Sequence, residues 1–163
     1  SMTIAPIRTE KVSLDNRVML DIPIFNKEQV PSLFCSRYAR LSAEYIFGIK
    51  FPVTHAWKMR NHPQITALPT NNESPKILSH ENQIERGSII GVYVPRSQRR
   101  KFWRPYTHLS LYLGEKNKIP VFLEQFGEKI RISNLANYDS EGLKLKEVLT
   151  ISPVAPKNIF RSA

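Results

Sequence analysis

The chain has 163 residues, 41% of them hydrophobic, a length that suits one domain able to enclose a core without metal or disulfide staples. It carries 24 Lys and Arg against 14 Asp and Glu, a net charge of +10 that favours anionic surroundings such as nucleic acid, an acidic membrane or an anionic wall polymer. A single Cys excludes an internal disulfide, and the absence of an apolar run of about 20 residues or of a basic-plus-apolar leader predicts a soluble chain, cytoplasmic or exported by a signal-independent route.

Residues 1–31 read as an N-terminal extended arm or edge strand, with alternation in Val18-Met19-Leu20-Asp21-Ile22 bracketed by Pro23 and Pro31. The single folded domain then runs over 32–163. Leu33, Phe34, Tyr38, Leu41, Tyr45 and Ile46 recur at spacings of three and four and predict an amphipathic helix to Phe47, with Ser32 as its N-cap and Gly48 and Pro52 ending it. A short helix over Thr54 to Asn61 is expected next, stopped by Pro63. Residues 62–83, rich in Asn, Pro, Ser and Thr, read as a long surface loop. From Gly87 onward the pattern is a β-meander: Ser88 to Val94, Tyr106 to Leu113, Val121 to Phe126, Glu128 to Ile132 and Lys144 to Ile151, with Gly114 and Gly127 marking turns. A helix followed by strands predicts an α+β fold with the helix packed on an antiparallel sheet.

Cys35 falls in the first turn of the predicted helix, where unpaired backbone N–H groups and the positive end of the macrodipole stabilise a thiolate. Of the four histidines, His55, His62 and His80 lie in the irregular middle, whereas His108 sits in the strand Thr107-His108-Leu109-Ser110-Leu111-Tyr112-Leu113. Alternation puts His108 on one face with Ser110 and Tyr112, and the three leucines on the other. A rigid strand is a suitable mount for a general base. The strand Val121-Phe122-Leu123-Glu124-Gln125-Phe126 offers two polar groups to orient the imidazole, and alternation does not tell which of them faces it.

The succession Cys35-Ser36-Arg37-Tyr38, Gly87-Ser88-Ile89-Ile90 and His108-Leu109-Ser110-Leu111-Tyr112-Leu113-Gly114 resembles the NlpC-type cell-wall peptidases and the related CHAP amidases, over residues 30 to 135. The resemblance implies a papain-like fold and a cysteine amidase or peptidase acting on peptidoglycan peptides without a cofactor. It implies Gln125 as the residue that orients His108, with Glu124 in reserve, and Gln29, six positions before Cys35, as an oxyanion donor. His55-Ala56-Trp57 is similar to an Asn-Ala-Trp segment near the cleft of wall amidases. The sequence departs from the family pattern at Phe34, Arg37 and Ser88. These departures leave a protein-directed thiol hydrolase or deamidase open.

One signal points to another class. Pro95 to Tyr106 carries five basic residues, no acidic ones and three aromatics, so Arg99, Arg100 and Trp103 are candidates for binding an anionic substrate or polymer, or for nucleic-acid binding without turnover. The histidines and the lone Cys lack zinc spacing, so no metal site is expected, and no glycine-rich phosphate loop is present.

Overall fold

The computed structural model describes residues 4–31, 34–70, 84–98 and 101–152. Ser32, His80, Arg99 and Arg100, singled out above, lie outside them. The fold is α+β, built on an antiparallel sheet with few helices. No helix among the described residues is long and apolar enough to cross a membrane.

The N-terminal segment is a two-stranded hairpin, β1 (Arg8–Ser13) and β2 (Met19–Ile24), paired antiparallel from Arg8↔Ile24 to Ser13↔Met19. Ile22, Phe25 and Val30 are buried in the main core, so this segment packs as part of the domain. Helix α1 (Cys35–Phe47) follows, and its N-cap position falls to Phe34, whose side chain supplies no capping acceptor. A 3-10 helix (Ala56–Asn61) stands where the second helix is predicted.

Residues 65–69 correct the predicted surface loop. They form β3 (Ile65–Pro69), paired with the last strand from Ile65↔Ile151 to Pro69↔Glu147. Ile65 and Ala67 pack into the core, and Pro69 is tolerated because it ends an edge strand. Then come β4 (Ile89–Tyr93), the one-turn α2 (Pro95–Gln98), β5 (His108–Lys116), β6 (Ile119–Phe126), β7 (Lys129–Asn134), α3 (Leu135–Glu141) and β8 (Lys144–Ile151). Helix α3 has no counterpart in the sequence reading. Its cap is an asparagine pair: Asn137 N–H donates to Asn134 Oδ1 and Asn134 N–H to Asn137 Oδ1, each at 2.9 Å.

The six-stranded sheet has the order β3-β8-β4-β5-β6-β7, with every neighbour antiparallel. Two cores lie on its two sides. On one, Leu109, Leu111, Leu113 and Leu123 pack with Tyr38, Ala39, Leu41 and Ala43 of α1. The small Ala39 and Ala43 let the helix backbone approach the strands. Tyr38 fastens α1 to the hairpin by donating from its hydroxyl to Pro23 O at 2.8 Å, one turn away from Cys35. On the other side Tyr112, Phe122, Leu135, Tyr138 and Val148 form a second cluster, with Phe122 and Tyr138 stacked at 4.8 Å.

The β5–β6 hairpin decides which residues face the site. Its turn residues Asn117 and Lys118 both have positive φ, and their N–H groups donate at 2.8 Å to the carboxylate of Asp15, from the β1–β2 turn. From the turn the register runs Lys116↔Ile119, Glu115↔Pro120, Gly114↔Val121, then shifts to Tyr112↔Phe122 and Leu111↔Leu123. The shift is a β-bulge at Leu113 and Gly114. Gly114 has a φ of 128°, which an L side chain adopts only under strain. Because facing residues alternate along a strand, one inserted residue exchanges the two faces of everything beyond it.

Candidate active site

Cys35 opens α1 and His108 opens β5, and the packing of α1 on β5 brings the two together. Burial pushes the Cys35 thiol pKa up, but a hydrogen bond and charge attraction from His108, with N–H donors of Leu109 and Ser36, outweigh it and leave the thiol below its ordinary value. Helix start and strand thus both supply backbone donors to one sulfur.

The His108 ring is buried and forms a T-shaped pair with Phe126, ring centroids 5.2 Å apart and planes at 88°. Its Nε2 lies 2.7 Å from Glu124 Oε1, so by elimination Nδ1 is the nitrogen left for the thiol. Burial alone would lower the imidazole pKa; Cys35 and Glu124 together raise it to about 9. The two shifts act in the same sense, each favouring a thiolate beside an imidazolium over the neutral pair.

Glu124 is 0% exposed and stays charged because four groups bond to it. Besides His108, Tyr138 donates to Oε1 at 2.6 Å, and Arg131 Nε and Ser133 Oγ donate to Oε2 at 2.8 and 2.9 Å. Burial raises its pKa, and His108, Tyr138 and Arg131 hold it below the usual carboxylate value. Arg131 stands directly opposite Glu124 in the β6–β7 ladder, also bonds Glu141 at 2.9 Å, and lies over the Phe126 ring at 4.0 Å.

Gln125 is not in this constellation, which corrects the preference drawn from the resemblance. Its Nε2 donates to Gly127 O at 3.0 Å, and it lies on the opposite face of β6. The bulge is the physical reason. If the register set by the turn continued unshifted, Gln125 would oppose Ser110 on the face of His108; the extra residue puts Glu124 there. Gln29 is exposed in the turn after β2, where its N–H donates to Asn26 O at 3.0 Å, and it does not line the cleft beside Cys35.

That cleft, about 450 Å³, is lined by Cys35, His55, Trp57, Lys58, Lys101 and Arg104 among others. Trp103 is not among its lining residues; the Arg104 guanidinium lies 5.1 Å from the Trp57 ring and 5.8 Å from the Trp103 ring. No family model, curated protein or solved structure matches the chain. The site must be read from its own geometry.

Three functional groups escaped the sequence reading: Arg131, Ser133 and Tyr138. Only Glu124 left a signal, a carboxylate in an otherwise apolar strand, which demands partners when buried. Among the described residues no cluster of three or more His, Cys, Asp or Glu could hold a metal ion.

Proposed function

We propose that the protein is a cysteine hydrolase of the papain-like, NlpC type that cleaves amide bonds, with peptidoglycan stem peptides as the substrate the resemblance implies. The observation that carries this reading is the chain of contacts from Cys35, at the first position of α1, through His108 to the buried Glu124.

The Cys35 thiolate attacks the carbonyl carbon, and the oxygen gains charge near the N–H groups of the helix start. His108, protonated, gives its proton to the leaving amine as the C–N bond breaks, leaving a thioester. Neutral His108 then takes a proton from water, whose oxygen displaces the sulfur and releases the acid. Glu124 fixes the ring and stabilises its charged form.

The test is hydrolysis of a peptidoglycan preparation by the full chain. Cys35→Ala and His108→Ala are expected to abolish release of new amino groups, and full activity of Cys35→Ala refutes the proposal. A second reading, a polyanion-binding module without turnover, draws on Phe102 and Trp103, which are 82% and 61% exposed beside Lys101 and Arg104. Tight RNA or DNA binding that falls steeply with salt, and is lost in Arg99→Ala/Arg100→Ala, would favour it.

A further inference from the structure

Phe34 stands one residue before the nucleophile, lines the cleft beside Cys35 and is 66% exposed. Two features make a ring unfavourable to the fold at this position. Water meets most of it, and as the N-cap of α1 it offers no acceptor to the first turn, where Ser, Thr, Asp or Asn would. The missing acceptor suits the chemistry, because the Ser36 N–H that a polar cap could take instead serves the Cys35 sulfur. Alanine or glycine would leave that N–H free equally well without exposing a ring. The ring therefore needs a reason of its own.

Phe34 is not an apolar residue scattered singly on the surface. Among the described residues, the aromatics more than half exposed are Phe34, Phe102 and Trp103. Phe34 lines the cleft, and the other two sit in the chain between its lining residues Lys101 and Arg104, forming a T-shaped pair with ring centroids 5.5 Å apart. A further lining aromatic, Trp57, is half-buried. The segments that carry these indoles are held by one buried carboxylate. Glu147 on β8 accepts from Arg60 Nε and an Arg60 terminal nitrogen at 2.8 and 3.0 Å, and from the Tyr106 hydroxyl at 2.8 Å. Arg60 belongs to the 3-10 helix of Trp57, and Tyr106 ends the loop that carries Phe102 and Trp103. Exposed aromatic surface gathered at one cleft, on anchored segments, is the pattern of a binding site.

We infer that Phe34 is a specificity-determining residue: it receives a large apolar side chain of the substrate, beside the scissile carbonyl, in the cleft it shares with Trp57. This rests on the reading of Cys35 as the nucleophile and not on the wall-peptide substrate. It directs that nucleophile to polypeptides with a large apolar residue at the cleavage position, the protein-directed alternative that the departure at Phe34 leaves open.

Alkylation of Cys35, the only thiol of the chain, by N-benzyliodoacetamide and by iodoacetamide at one pH tests the two separately. Both reagents are neutral and thiolate content cancels in the ratio of their rates, so the ratio reports contact with the phenyl group. Relative to the same ratio for N-acetylcysteine, the protein is expected to favour the benzyl reagent about 10-fold. N-(2-hydroxyethyl)iodoacetamide, extended by a polar group, is expected to gain no such advantage. The benzyl advantage is expected to fall to within about threefold in Phe34→Ser, to persist in Phe34→Leu, and to be unchanged in Ile119→Ser, which removes an exposed apolar side chain outside the cleft. Phe34→Ser also supplies the missing cap acceptor, so its Tm is expected to equal or exceed that of the wild type while selectivity is lost.

A ratio no higher than that of N-acetylcysteine, an equal advantage for the hydroxyethyl reagent, or a ratio unchanged in Phe34→Ser overturns the inference, while rapid iodoacetamide labelling leaves the nucleophile intact. A clear fall in the Tm of Phe34→Ser overturns it as well, because the ring then serves the fold. If Cys35 reacts with none of the reagents, the nucleophile fails and the inference with it.

Discussion

Replacing Glu124 by Gln removes one charge at nearly constant volume and strikes every member of the site. Gln offers a single acceptor oxygen to the donors of Tyr138, Arg131 and Ser133, and turns an N–H₂ toward at least one of them. Breaking a buried ion pair by removing one partner costs about 3–5 kcal/mol. The lower end applies, because Arg131 keeps Glu141 at 2.9 Å and its side chain is 28% exposed. A loss of about 3 kcal/mol in urea unfolding is therefore expected, with m unchanged. The imidazolium also loses its anchor: the rise of His108 from 6.5 to about 9 amounts to roughly 3 kcal/mol shared between Cys35 and Glu124. Without Glu124 the His108 pKa drops and the thiol moves back toward its ordinary 9.0, which shifts the pH midpoint of iodoacetamide labelling upward. Wild-type stability together with a wild-type labelling profile in Glu124→Gln would refute the reasoning.

The pH dependence of stability follows from the same three groups. His108, raised, contributes stability that is present below 6.5 and lost as pH rises through about 9, whereas Cys35, lowered, contributes stability that is present above 9.0 and lost as pH falls. Below 9.0 the gain that Cys35 contributes with rising pH opposes the loss that His108 contributes, so their combined slope is shallower than that of His108 alone. At acid pH Glu124, lowered, adds a contribution that is present above 4.5 and lost as pH falls through its folded value, so stability is expected to fall there. Urea titrations that show no loss of stability as pH drops below 4.5 would contradict this. Gly114→Val places a β-branched residue at a φ of 128°, with its Cβ 3.2 Å from Arg86 Nε, and is expected to cost about 1–3 kcal/mol. Thermal or urea stability within about 0.5 kcal/mol of wild type would show that the bulge does not need its glycine.

Local pattern made the elements that mount the site legible. The three-and-four spacing from Leu33 to Ile46 predicts α1 and places Cys35 in its first turn, and the alternation from Thr107 to Leu113 sets His108 apart from the leucines of the core. These are properties of residues a few positions apart, governed by helix and strand geometry alone. Short edge elements were less legible. In β3, a Pro and polar neighbours hide a strand that exists because β8 pairs with it, and α3 is capped by Asn134 and Asn137 rather than by a Ser or Thr with Glu.

What the sequence by itself determined was the identity and mounting of the thiol and the imidazole. Only the tertiary structure decided the third group, since alternation leaves Glu124 and Gln125 equivalent until the register of β5 against β6 is known. That register is set by the turn at Asn117 and Lys118 and then reversed by the bulge at Gly114. The partners that keep Glu124 charged come from β7 and α3, and the cations at the cleft from two segments joined through Glu147. A buried carboxylate needs donors from several elements at once, and their convergence is a property of packing that no local pattern contains.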